Sequence, residues 1–139
     1  MRAWEVHIQF QIHGRGKDLF GDGFAFWYSK EKMVPGPVFG SKDLFSGLAV
    51  IIDTYSNHNG PHNHGHPYIS AMVSYIPVYL TLKHNGNDPL ISKVNNGTLS
   101  YDHDKDGTHT QIAGCSASVR NTAEDTYLSI RYENDILTG

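Results

Sequence analysis

The sequence predicts an all-β chain, an antiparallel sandwich of short strands in one domain. Three observations lead there. Apolar residues fall either in alternation with polar ones or in short unbroken runs, the signatures of strands buried on one face or on both. No window of about ten residues keeps a 3.6-residue repeat well enough for a helix. Gly, Asn and Pro separate the runs, as turns between antiparallel strands require.

Composition agrees. A chain of 139 residues can support one core. Its 39% hydrophobic and 12% aromatic content is far from that of disordered chains. A formal net charge of −3 argues against general nucleic-acid binding, which needs a basic face. The single cysteine, Cys115, reads by itself as a small buried residue of a reducing compartment. Met1-Arg2-Ala3-Trp4-Glu5 does not open a signal peptide, since no apolar run follows the basic residue. The apolar stretches are too short to span a bilayer. On these grounds alone the chain is expected in the cytosol.

Residues 4–12 alternate Trp4, Val6, Ile8, Phe10 and Ile12 with Glu5, His7, Gln9 and Gln11, a half-buried strand that Gly14 and Gly16 end. Residues 24–28 form an aromatic run suited to burial on both faces. Pro35-Gly36-Pro37 makes a rigid loop and residues 42–45 a short turn. Residues 48–52 (Leu, Ala, Val, Ile, Ile) are the clearest core strand and stop at Asp53. Further strands are expected over 68–73, 99–103, 115–119 and 126–132.

Three polar clusters fall where a sandwich has its loops. In Gly21-Asp22-Gly23 the glycines permit close backbone approach and leave one carboxylate projecting, although an acidic turn explains these residues equally well. In Asp53-Thr54-Tyr55-Ser56-Asn57, positions i, i+2 and i+4 of an extended chain share a side. Asp53, the Tyr55 carbonyl and Asn57 thus offer the mixed oxygen set that Ca²⁺ accepts; a capped strand end is the alternative. The third cluster, residues 101–107, adds Asp102, His103, Asp104 and Asp106. It lacks the glutamate and helices of an EF-hand, and a solvated acidic turn also fits. His58, His62, His64 and His66 crowd nine residues, but Asn, Gly and Pro fill the gaps, so a solvated loop is expected there rather than a zinc site.

Taken in order, residues 21–28, 35–40, 48–57 and 95–107 resemble the L-type lectins, and most nearly the animal vesicular integral-membrane lectins of the early secretory pathway. The resemblance runs from about Trp4 to the end, except near residues 73–94. It implies a concanavalin A-like jelly roll of two antiparallel sheets, present here as a partial domain over 1–139 and incomplete at both ends. It implies calcium-dependent binding of high-mannose glycans, and for the parent protein a role as a membrane-anchored cargo receptor. That protein would work in the lumen of the endoplasmic reticulum, intermediate compartment and Golgi, which replaces the cytosolic expectation. Asp53, the Tyr55 carbonyl, Asn57 and Asp106 occupy the family's Ca²⁺ positions; Asp22, Asn57 and His103 occupy those that contact mannose. Cys115 matches a disulfide cysteine whose partner lies beyond Gly139. Asn96-Gly97-Thr98 is a glycosylation sequon.

Residues 73–93 interrupt the family pattern, and removing them joins Met72 to Val94-Asn95-Asn96-Gly97. Val73-Ser74 can be encoded as a splice donor and Lys93 as an acceptor AG, so the insert reads as translated intron, with a lineage-specific loop as the alternative. The same interruption raises the alternative of a truncated isoform with little or no sugar binding. An enzyme is not expected. A glycosidase on such a sandwich needs two suitably spaced carboxylates on one strand, and Glu5, Glu31, Glu124 and Glu133 form no such set.

Overall fold

The computed structural model describes residues 3–16, 20–57, 64–74, 79–80, 100–133 and 136–138. Eight strands are described: β1 (Ala3–Phe10), β2 (Gly23–Ser29), β3 (Gly47–Asp53), β4 (Tyr68–Ser74), β5 (Tyr79–Leu80), β6 (Ala113–Ser116), β7 (Thr126–Glu133) and β8 (Ile136–Thr138). They form two four-stranded sheets, ordered β1-β7-β8-β5 and β2-β3-β4-β6. Every pairing is antiparallel except β5 with β8.

The two sheets close on one core. Leu48 and Val50 of β3, Ala71 and Val73 of β4 and Ile130 of β7 are buried there, with Trp4, Ile8, Phe26, Leu128 and Tyr132 packed against them. Aromatic pairs bridge the gap between sheets: Phe10 meets Phe24 edge-on at 5.1 Å, and Trp4 meets Phe26 at 6.4 Å. The alternation of β1 arises here, since Trp4, Val6, Ile8 and Phe10 face inward while their neighbours are exposed.

The β2-β3-β4-β6 sheet is covered on its other face too. Val38, Phe45, Ala49, Ile51, Met72 and Tyr101 form a second cluster, with Trp27 set edge-on against Phe45 at 4.9 Å. All seven residues of β3 are therefore buried, which explains a continuous apolar run in place of alternation. Burial of each large side chain here stabilises by about 1.5–3 kcal/mol. Odd-numbered residues of β3 face the second cluster, and Asp53 ends that row.

Two expectations need correction. Residues 100–102 are not a strand, and His103–Lys105 form a 3₁₀ turn. The Asp102 side chain caps that turn by accepting from the Asp104 N–H, a local bond that removes the segment from any ladder. The strand expected over 115–119 begins earlier and ends at Ser116. Val73 and Ser74, the first residues of the expected insert, complete β4 opposite Leu48 and Gly47. The rest of that insert, apart from β5, lies outside the described residues. Among the described residues no helix is long and apolar enough to cross a membrane.

Candidate functional site

Asp53 stands at the end of β3 with 4% of its surface exposed. Its Oδ1 accepts the Tyr55 N–H at 3.0 Å, which turns the chain out of the strand. Burial pushes its carboxyl up to about 7; the Tyr55 N–H opposes this, the Asp106 and Asp22 carboxylates add to it, and His103 opposes it weakly. Three carboxylates thus lie close enough to feel one another in a partly dry site.

Asp22 reaches the site on the turn before β2. Its carbonyl accepts both the N–H and the hydroxyl of Thr54, at 2.8 and 3.0 Å. Gly23 pairs with Asp53 at a φ of +146°, and a Cβ there would stand 2.0 Å from the Ile52 carbonyl oxygen. Only glycine lets the turn come this near.

Asp106 arrives from the opposite loop. It caps the 3₁₀ turn in the left-handed region, φ 48°, and is 7% exposed. Its Oδ1 accepts the Asn57 N–H at 3.0 Å. The Asn57 amide NH₂ donates to Asp106 Oδ1 at 3.1 Å and to the His103 carbonyl at 3.2 Å. The Asp53 and Asp106 carboxylates, the Asn57 amide and the His103 carbonyl thus border one small region, and with the amide turned to present its oxygen they make the hard-oxygen donor set that Ca²⁺ takes. Asp53, Asn57 and Asp106 therefore fit a calcium ion.

His103 is held beside them. Its Nε2 lies 2.9 Å from the Pro37 carbonyl, which can only accept, so Nε2 carries the proton and Nδ1 of the neutral ring is the acceptor. Phe39 and Tyr101 pack on the ring at 5.5 and 4.9 Å. Asp43 holds the start of this loop, accepting the Tyr101 N–H at 3.1 Å and the Ser100 hydroxyl.

Asp22, Asp53, Asn57, His103 and Asp106 are thus gathered from three separate loops. Tyr55 lies in the same turn as Asp53, its side chain against Gly21. Cys115 sits half-buried in β6, its thiol pushed up by burial. Asn96, His58 and His62 lie outside the described residues. The expectation of a solvated histidine loop does not hold for His64 and His66. His66 Nε2 stands 3.6 Å from Asp106 Oδ2, and their side chains are 6% and 8% exposed. The ring of His64 stacks on Tyr68 at 3.6 Å. The spacing of two histidines was legible in the sequence; their approach to a residue 40 positions away was not.

The sequence profile of the legume-like lectin family matches residues 1–92 and 76–138. The VIP36-like protein of mouse is 47% identical over 139 residues, covering 99% of this chain and 34% of that protein. The human vesicular integral-membrane protein VIP36 is 46% identical over 139 residues, with 99% and 33% covered. The chain therefore spans about a third of the length of these curated relatives. Among solved structures, the VIP36 exoplasmic/lumenal domain in its Ca²⁺/Man3GlcNAc-bound form superposes with a TM-score of 0.75 at 46% identity, over 96% of this chain and 47% of that one. The sandwich, the loops that meet at Asp53 and the sequence likeness agree: this chain belongs to the legume-like lectin family.

Proposed function

We propose that this chain binds high-mannose glycans in a calcium-dependent manner, without catalysing any change in them. The observation that carries the reading is the approach of the buried Asp53 and Asp106 carboxylates, with Asn57 bonded to Asp106, at the end of the best-buried strand. Asp53, the Tyr55 carbonyl, Asn57 and Asp106 would hold the ion. Bound calcium supplies a fixed positive centre that offsets the clustered carboxylates and sets Asn57 in one orientation.

The sugar is then read by the chain's own polar groups. Asp22 accepts from paired hydroxyls, Asn57 donates through its NH₂, and His103 accepts at Nδ1 while Pro37 holds its other nitrogen. Aromatic Phe39 and Tyr101 fix the ring of His103. The solved VIP36 lumenal domain, with calcium and mannose-containing ligands, supports the assignment. By the same likeness, the whole protein would be a membrane-anchored lumenal receptor that carries glycoproteins between endoplasmic reticulum and Golgi, with Cys115 in a disulfide and Asn96 glycosylated. Residues 73–93 would interrupt the domain, a reading supported by a family match that falls in two stretches overlapping at 76–92.

Isothermal titration of calcium, then mannose, into the purified chain tests the core of this reading. Mannose heat that appears only after calcium is the expected result. Mannose binding unaffected by chelator would overturn it.

A further inference from the structure

A pocket of about 460 Å³ opens on the loop that carries His103, lined by Ser100, Tyr101, Asp102, His103, Asp104 and His109. Its size is that of a small-ligand site. His103 also belongs to the site proposed for mannose, so the two share a residue.

The side-chain donors on this wall are engaged or out of reach. The Ser100 hydroxyl donates to Asp43, and His103 Nε2 donates to the Pro37 carbonyl. His109 Nε2 lies 3.0 Å from the Ser100 carbonyl, which only accepts, so that nitrogen carries the proton. The Tyr101 hydroxyl is sealed from solvent. Lys105, next in sequence to Asp104, is held by Asp102 at 3.0 Å. What remains is a set of acceptors: the Asp102 and Asp104 carboxylates, Nδ1 of each neutral histidine and the Ser100 oxygen. A ligand that fits must bring donors and no negative charge. Among the described residues these acceptors do not converge closely enough to share a metal ion. Acceptors spread around a pocket suit instead a ring that carries hydroxyls at several corners, as a hexose does.

We propose that this pocket is a second sugar subsite, taking a neutral hexose joined to the mannose held by Asp22, Asn57 and His103. Its two carboxylates turn away a ring that bears phosphate or another anion, since charges this close repel even at physiological salt. The proposal rests on the calcium-dependent mannose reading and names the glycans that reading admits, neutral chains longer than one ring.

Titration calorimetry of the full chain with calcium compares methyl α-mannoside, α-linked mannobiosides and the same disaccharides phosphorylated on the added ring. At least one neutral mannobioside should bind about fivefold or more tightly than methyl mannoside. Its phosphorylated form should lose that gain. Asp104→Asn and His109→Phe should each shrink the gain at least about twofold, and Asp104→Asn should also narrow the penalty for phosphate. Saturation-transfer NMR on the unaltered chain should mark protons of both rings, which needs no variant to fold. No mannobioside gain, a gain indifferent to both variants, contacts confined to one ring, or equal affinity for the phosphorylated form would overturn the proposal. Methyl mannoside bound with calcium, but no gain from a second ring, sinks this inference alone. No mannoside bound at all sinks the calcium-dependent reading, and this inference falls with it.

Discussion

The main-chain N–H of Asn57 donates to Oδ1 of Asp106 at 3.0 Å, joining two loops that are 49 residues apart in sequence. A hydrogen bond to a charged acceptor contributes about 1.5–3 kcal/mol, enough to hold both loops in place before any ion arrives. The oxygens of Asn57 and Asp106 are thus set in advance, and binding need not order the loops from scratch.

Among the described residues Asp22 hydrogen-bonds the turn proposed to hold the metal through its carbonyl, which leaves its carboxylate oxygens for the proposed sugar. Asp22→Asn should reduce retention on mannose resin at least about tenfold and leave calcium affinity within about twofold. Asn57→Ala should reduce both. Calcium titration followed by mannose chromatography separates the cases, and equal calcium loss in the two variants would refute this division of roles.

Asp53 supplies the pH dependence. Its folded pKa of about 7 lies above the ordinary carboxylate value, so without metal the folded state holds a proton that the unfolded state has released. The contribution to stability is full below about pH 4 and is lost as pH rises through 7. Calcium needs the ionised form, so its affinity should fall as pH drops from 7.5 to 5.5, with release of about one proton on binding. Titration calorimetry in buffers of different ionisation enthalpy counts that proton. A calcium affinity flat across this range would exclude Asp53 as a ligand.

Gly23→Ala meets two obstacles at once, a φ of +146° and the Ile52 carbonyl 2.0 Å from the added methyl. A loss of about 2–4 kcal/mol is expected in denaturant unfolding. Mannose binding should suffer more than calcium binding, because the displaced turn carries Asp22.

Asp43→Ala removes the acceptor for the Tyr101 N–H and the Ser100 hydroxyl. It should cost about 1–3 kcal/mol and weaken mannose binding through the loosened His103 loop. Calcium titration of the same variant should show little change.

The sequence made some of this architecture plain and hid the rest for physical reasons. Gly47–Asp53 was readable because a strand covered on both faces must be apolar throughout, and Asp53 marked where that cover ended. Ala3–Phe10 was readable because only one face is covered. Residues 99–103 misled because Leu99, Tyr101 and His103 mimic alternation, while the deciding bond is the capping of Asp104 N–H by Asp102. Asp106 was set beside Asn57 through the family resemblance, since no local pattern brings the two together. His64 and His66 were misread because burial by Tyr68 and Asp106 is a tertiary fact.

Thr54 donates its N–H to the Asp22 carbonyl at 2.8 Å, a bond between main-chain atoms on both sides. No side-chain replacement at position 22 abolishes it, and at position 54 only proline would. The residue proposed to read the sugar can therefore vary through successive substitutions while its mounting beside the end of β3 persists. Selectivity in this scaffold is open to drift, or to redesign at a single codon, without the ion site having to be rebuilt each time.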